Sequence, residues 1–205
     1  MSRLDVSVDD LKPGEPYSLV NACVIPRPIA WVSTVSAAGV ANIAPHSFFS
    51  VASADPSILM FSSIGEKDTL RNLREVPELV VCITTEALTE QVNRTGTAFP
   101  ADVDEFAEVG LTPEPSVRVR PARIAESPIA LECRLWGTHD FPRSVVVFAE
   151  VLHVAIDRAV LSPDGKPDPR LVAPMSRMGR NEWAALGEVS SRSRITWDQW
   201  RDGAR

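Results

Sequence analysis

No segment of the chain approaches the roughly 20 consecutive apolar residues that a membrane-spanning helix requires, and the opening Met1-Ser2-Arg3-Leu4-Asp5 lacks the apolar core of a secretory signal. A cytoplasmic protein without a membrane partner is expected. Runs of Lys or Arg are missing too. The 21 basic side chains stand against 27 acidic ones, a formal charge of -6, which leaves no footprint for nucleic acid. Without a secretory route, the Asn93-Arg94-Thr95 sequon has no access to glycosylation. Cysteine is scarce: Cys23, Cys82 and Cys133 lie far apart, form no C-x-x-C pair and have no activating His beside them. They are expected to be buried, reduced thiols rather than nucleophiles.

Several catalytic signatures are also absent. There is no G-x-S-x-G elbow and no metal-like clustering of His46, His139 and His153, so acyl transfer and zinc chemistry find no support. There is no G-x-G-x-x-G fingerprint either. That argues against a Rossmann domain but leaves open a nicotinamide that stacks only transiently.

What is present is enough apolar material, 44% of residues, for one substantial core, with no internal repeat and no linker that divides the chain. Short β-branched and apolar runs at Ile29–Val35, Ser57–Ser63 and Leu79–Thr84 read as strands, the first followed by a turn at Ser36-Ala37-Ala38-Gly39. Further strands are expected at Val117–Ile124, Ile129–Thr138 and Val145–Ile156. One helix is expected after Lys67, capped by Asp68 or Thr69, carrying Leu70, Leu73 and Val76 on one face and stopped by Pro77. Glu86–Thr95 and Asp104–Val109 are short connecting helices, Pro163–Pro169 is a turn-rich loop, and Met175–Trp183 leads into a polar end. Many strands with few helices argue for a closed antiparallel barrel over βαβ units.

Two segments carry candidate chemistry. Gly65-Glu66-Lys67-Asp68-Thr69-Leu70-Arg71-Asn72 opens a helix, whose free N–H groups and positive dipole end, with the Lys67 charge and Thr69 hydroxyl, suit a terminal phosphate. Taken alone, it reads more readily as a capped surface helix with a solvated Lys67. Asn42-Ile43-Ala44-Pro45-His46-Ser47-Phe48-Phe49-Ser50 mixes amides, hydroxyls and aromatics without a clean period, as pocket linings do. A flavin ring needs polar contacts at its edge and apolar walls on its faces, which Asn42, Ala44, Ser47 and Phe48 can supply. His46 reads either as a hydrogen-bonded structural residue or as a substrate contact.

The order Arg27-Pro28-Ile29-Ala30-Trp31-Val32-Ser33-Thr34, Asn42 with Ala44–Phe49, Asp55-Pro56, Lys67–Asn72, Glu126-Ser127-Pro128 and Arg177-Met178-Gly179 resembles the flavin reductase-like, FMN-binding split-barrel family, from about Tyr17 to about Trp183. The resemblance implies a mainly β, Greek-key split barrel forming one domain over 1–205, with a core at about 17–160 and a tail at 161–205 that contributes to dimer and site. It implies a homodimer that binds FMN, takes NADH or NADPH as a transient co-substrate, and serves a partner monooxygenase. A flavoredoxin-like electron carrier or a flavin-binding sensor is the alternative. Thr34, Asn42, Ala44, Ser47 and Phe48 would then contact the ring and ribityl chain, and Ser62, Ser63, Lys67, Asp68, Thr69 and Asn72 the ribityl chain and phosphate. Asn93 and Thr95 would lie nearby, with Arg177, Met178 and Gly179 reaching the flavin of the partner subunit. The chain departs from the family pattern at Glu66, where a basic residue is frequent, and at Arg180 and Trp183. The first implies a missing phosphate-facing charge, and the second a cation that either narrows the site or greets an anionic substrate.

Overall fold

The computed structural model describes residues 1–203; of the expected single domain over 1–205, positions 204 and 205 lie outside the described residues. Its centre is a seven-stranded sheet in which every neighbouring pair is antiparallel. The strands are β2 (Ala30–Val35), β3 (Ala41–His46), β4 (Phe49–Ala54), β5 (Ser57–Ile64), β6 (Glu78–Ile83), β9 (Ile129–Phe141) and β10 (Ser144–Ile156), in the order β3-β2-β6-β9-β10-β5-β4.

Two apolar clusters sit on opposite faces of this sheet. Ala30, Val32 and Val81 pack with Leu59, Phe61 and Val147, and with Leu70 and Leu73 from helix α2 (Asp68–Glu75). Trp31, Ile43, Val80 and Cys82 pack instead with Val92 of α3 (Thr89–Arg94) and with Phe106 and Val109 of α4 (Glu105–Val109). Side chains alternate across a strand, and β2 is buried on both faces, its polar Ser33 and Thr34 included. The first cluster joins β2 to β5, which three strands separate within the sheet, so the sheet curls round on itself.

The expected closed barrel is not formed. The end strands β3 and β4 share no ladder. The cleft described below opens beside the link from β3 to β4, between the end of β3, the end of β5 and the start of α2.

Local expectations are corrected in four places. The strand expected over Val117–Ile124 shrinks to β8 (Arg123–Ile124), paired with β7 (Pro113–Glu114). The upstream N–H groups are taken by carboxylates: Val117 and Arg118 donate to Glu132, and Arg120 to Glu78. Neither Asp68 nor Thr69 caps α2; the N-cap is Lys67, whose side chain makes no cap bond, while Asp68 pairs with Arg71. Cys82 and Cys133 are buried, with thiols pushed up to about 12 by burial, but Cys23 is exposed at the end of α1.

That helix, α1 (Glu15–Cys23), is the fourth correction, since the sequence shows no apolar stripe there. Tyr17, Leu19 and Val20 are exposed, and the only buried residue is Asn21. Tertiary clamping holds it. Arg27, on the short strand β1 (Arg27–Pro28), donates Nη1 to the Asn21 and Val24 carbonyls at 2.5 and 2.9 Å, and Nη2 to the Met178 carbonyl at 2.7 Å. Beyond α5 (Pro169–Val172), strands β11 (Met175–Arg177) and β12 (Trp183–Ala185) extend β1 into a three-stranded sheet, and α6 (Trp197–Arg201) follows. No helix among the described residues is long and apolar enough to cross a membrane.

Candidate functional site

A cleft of about 590 Å³ opens beside the link from β3 to β4, within the range of small-molecule and cofactor sites. Its walls come from the end of β3 and the 47–48 link, the end of β5, the start of α2, the loop after α3, α1, and the β11–β12 region. Tyr17, Ile29, Phe48, Val92, Phe99 and Trp183 supply apolar surface; Phe48 is held from behind by Tyr17, at 6.2 Å between ring centroids, and by the Arg27 guanidinium, 5.9 Å from its ring.

One end of the cleft is built for an anion. The first α2 bonds run from Leu70 and Arg71 back to the Lys67 carbonyl at 3.0 and 3.1 Å. The Asp68 and Thr69 N–H groups therefore precede the ladder and have no partner among the described residues. Helix N-termini with such free donors attract anions. Lys67 lines the cleft beside them and forms no ion pair among the described residues, whereas Glu66, at the departure from the family pattern, is paired with Arg74. Arg71 lines the same end, held by Asp68.

A hydroxyl–amide network fixes this end to the sheet. Asn42 donates Nδ2 to Thr34 Oγ1 at 3.1 Å and to Thr69 Oγ1 at 3.3 Å, and Asn72 donates to the same Thr34 oxygen at 3.1 Å. All four residues are buried. Thr34 and Asn72 consequently stand behind the cleft wall and not in it. Ser63 is also behind it, because consecutive residues of β5 face opposite ways: Ser62 lines the cleft and Ser63 is fully buried with an unpartnered hydroxyl.

The structure brings together Asn42, Ala44, His46, Ser47, Phe48, Ser62, Lys67, Asp68, Thr69, Asn93, Thr95 and Arg177 of the expected set. The Thr95 hydroxyl is already engaged, accepting from Trp31 Nε1 and donating to the Val92 carbonyl, each at 2.9 Å. Met178 and Gly179 do not line the cleft of their own chain. Met178 gives its carbonyl to Arg27, and Gly179 packs on α1, where an added Cβ would come within 3.1 Å of Ala22 Cα. Arg180 is exposed, in the left-handed region at φ 54°, and its carbonyl accepts from Arg177. Arg177 lines the cleft in its own chain, stacked 4.7 Å above the Trp183 ring. Burial, with the neighbouring Arg27 charge, lowers its pKa from the usual guanidinium value.

Two buried titratable groups line the cleft. His46 places Nδ1 3.2 Å from the Ser62 carbonyl, which can only accept, so Nδ1 carries the proton and the buried Nε2 has no partner. Burial depresses its pKa to about 4, keeping the ring neutral at physiological pH. Glu105 was read from the sequence only as part of an acidic connecting helix. It is 5% exposed and accepts the Ile43 N–H at 2.9 Å; burial pushes its carboxyl up to about 7.

The curled antiparallel sheet thus carries a cleft with aromatic walls and, at one end, the unpartnered N–H groups of a helix beside Lys67. The family model described as flavin reductase like domain matches residues 22–172, and the chain belongs to that family, a flavin-reductase-like flavoprotein of the split-barrel type. An uncharacterized protein of Halalkalibacterium halodurans is 37% identical over 213 residues, covering 97% of this chain and 100% of that one. Among solved structures, nitrilotriacetate monooxygenase component B from Bacillus cereus superposes with a TM-score of 0.89 at 27% identity, covering 94% of this chain and 100% of that one. The 2-nitrobenzoate 2-nitroreductase of Pseudomonas fluorescens gives 0.88 at 27% identity, covering 95% and 98%.

Proposed function

We propose that this chain binds FMN in the cleft and is an NADH- or NADPH-dependent flavin reductase, acting as a homodimer. The observation that carries the reading is the continuity of one cleft from aromatic walls to the unpartnered N–H groups of α2 beside Lys67. The residues fit the cofactor by chemistry. Lys67, the Asp68 and Thr69 N–H groups and the Thr69 hydroxyl suit the phosphate. Asn42, Ala44, Ser47 and Phe48 suit the ring and its polar edge, and Ser62 the ribityl chain. When bound, the isoalloxazine ring supplies the hydride chemistry, which needs no side-chain nucleophile.

The chain itself binds, orients and excludes water. Tyr17, Phe48 and Trp183 form the apolar side of the opening, and Arg177 is a rigid cation at that side with no carboxylate partner among the described residues. We assign it to the anionic part of the nicotinamide co-substrate. Neutral His46 leaves the wall uncharged next to the Ser62 carbonyl. The name of the similar Bacillus cereus protein, a monooxygenase component, supports a role for this chain in passing reduced flavin to a partner oxygenase.

Dimerisation is part of the proposal. Met60 and Ile64, on one face of β5, and Trp136 and Phe141 on β9 are exposed. Large apolar side chains exposed on a sheet are a usual mark of an interface.

The deciding experiment mixes FMN-loaded protein with NADH, then NADPH, without oxygen, and follows visible flavin absorbance. Rapid bleaching is expected. Bound flavin that neither nicotinamide bleaches would overturn the reductase reading in favour of an electron carrier, and failure to bind flavin would overturn the whole reading.

A further inference from the structure

Glu105 is the first residue of α4 and lies inside the protein, yet the flavin-reductase reading gives it no task. It lines the main cleft and also a second cavity of about 190 Å³ behind the start of α2. Asn42, Asp68 and Arg71 line both cavities with it, which places its carboxyl at the anion-binding end. Its one hydrogen bond is the Ile43 N–H to Oε2, and no Lys, Arg or His pairs with it among the described residues.

The charged groups around it do not neutralise it. On its own helix Asp104 is acidic and caps the N-terminus. Across the two cavities α2 presents Lys67 at its cap, Asp68 bound to Arg71, and Glu75; Glu66, bound to Arg74, and Arg177 lie further along the main cleft. Strand β3 offers only neutral His46, the 97–103 loop only exposed Asp102, and α3 the exposed pair Glu90–Arg94. A carboxyl in this position has two states with different consequences. Neutral, it can donate a hydrogen bond toward the cavity; ionised, it sets a negative charge beside donors arranged for an anion.

We propose that Glu105 determines how tightly the cleft retains its phosphorylated flavin, holding it when the carboxyl is protonated and loosening it when the carboxyl is ionised. The inference rests on the FMN reading above and concerns retention, not the chemistry on the ring. Burial and Asp104 place the transition near neutrality, with the Ile43 N–H opposing them. The same protein would thus keep or release its cofactor according to proton supply. Glu105 acts here as a positioning residue of the phosphate end.

The test is binding, not turnover. Apoprotein is titrated with FMN, and separately with riboflavin, which lacks the phosphate, by quenching of flavin fluorescence from about pH 5.5 to about pH 8.5, a span that brackets neutrality. Wild type is compared with Glu105→Gln, which keeps an acceptor for Ile43, and with Glu105→Asp, which keeps an ionisable group. The FMN phosphate itself titrates near pH 6 and affects all three proteins alike, so the difference between them is read. Expected is a wild-type affinity for FMN that falls by about tenfold relative to Glu105→Gln across the range, with Glu105→Asp still pH-dependent and riboflavin nearly flat throughout. Equal pH profiles for FMN in wild type and Glu105→Gln would overturn the inference and leave the FMN reading standing; no flavin bound at any pH would overturn both. A riboflavin profile as steep as that of FMN would overturn the assignment to the phosphate end.

Discussion

Asn72 on α2 donates its side-chain amide to the Thr34 hydroxyl on β2 across 3.1 Å, and Asn42 on β3 reaches the same oxygen from the same distance. One buried hydroxyl thereby sets the position of α2 against the sheet, and with it the free N–H groups of Asp68 and Thr69. Thr34→Val keeps the shape and removes the acceptor for two buried amides. Unfolding by denaturant is expected to show a loss of about 1–3 kcal/mol, the usual cost of stranding buried donors. FMN affinity should fall as well, although Thr34 does not line the cleft. A variant as stable as wild type with unchanged FMN affinity would show that the network does not position the helix.

Lys67 is the cation closest in sequence to the α2 N-terminus, and it has no acidic partner among the described residues. Lys67→Met is expected to weaken FMN by about tenfold, the scale of one charge-assisted hydrogen bond, and to leave riboflavin affinity unchanged. Isothermal titration with the two ligands checks this. Equal losses for both would move Lys67 from the phosphate to the ring.

Arg177 is fixed from two sides, by the Trp183 ring and by the Arg180 carbonyl at 3.1 Å, and remains without a counter-charge. For Arg177→Gln, steady-state reduction of FMN should show KM for the nicotinamide raised by about tenfold with kcat nearly kept, because the lost contact serves binding more than the transition state. An unchanged KM would remove Arg177 from the co-substrate site.

Strands β2, β5, β6, β9 and β10 were legible because their apolar runs had the right length, and α2 because Leu70, Leu73 and Val76 recur at helical spacing before Pro77; β3 and β4 were not, because Asn42–Ser50 has no clean period. Which polar residues face the cleft was not legible. Ser62 and Ser63 are neighbours in sequence, yet the strand sends one to the cleft and the other to the interior. Thr34 and Asn72 carry the polarity of a binding residue and spend it on each other. The strand expected at Val117–Ile124 failed because the signal that overrides it is remote. Glu132, fully buried, gathers the Val117 and Arg118 N–H groups and the Arg123 guanidinium, with Nη2 at 2.5 Å, and turns that stretch into a loop. Burial pushes the Glu132 carboxyl up, but those donors outweigh it and hold its pKa below the usual carboxylate range. Helix α1 was missed for the same reason: its stability comes from Arg27 and Gly179, not from a stripe of its own.

The two buried titratable groups of the cleft act on stability in opposite directions. Glu105 has its pKa raised to about 7 from 4.5, so between these values the folded protein holds a proton that the unfolded chain has released, and stability falls as pH rises. His46 has its pKa lowered to about 4 from 6.5, so between these values the unfolded chain holds the extra proton, and stability rises with pH. The windows overlap and the slopes offset one another in the wild type. Each variant should unmask the other group. Glu105→Gln removes the falling slope, so its stability relative to wild type should increase from acid to neutral pH, raising Tm by a few degrees above neutrality. His46→Asn removes the rising slope, so relative to wild type it should gain stability as pH falls below 6.5. Thermal melts of apoprotein across this range measure both. Parallel curves for wild type and Glu105→Gln would mean that the carboxyl is ionised in the folded protein throughout, and that its burial is relieved by water or by a cation drawn into the cleft.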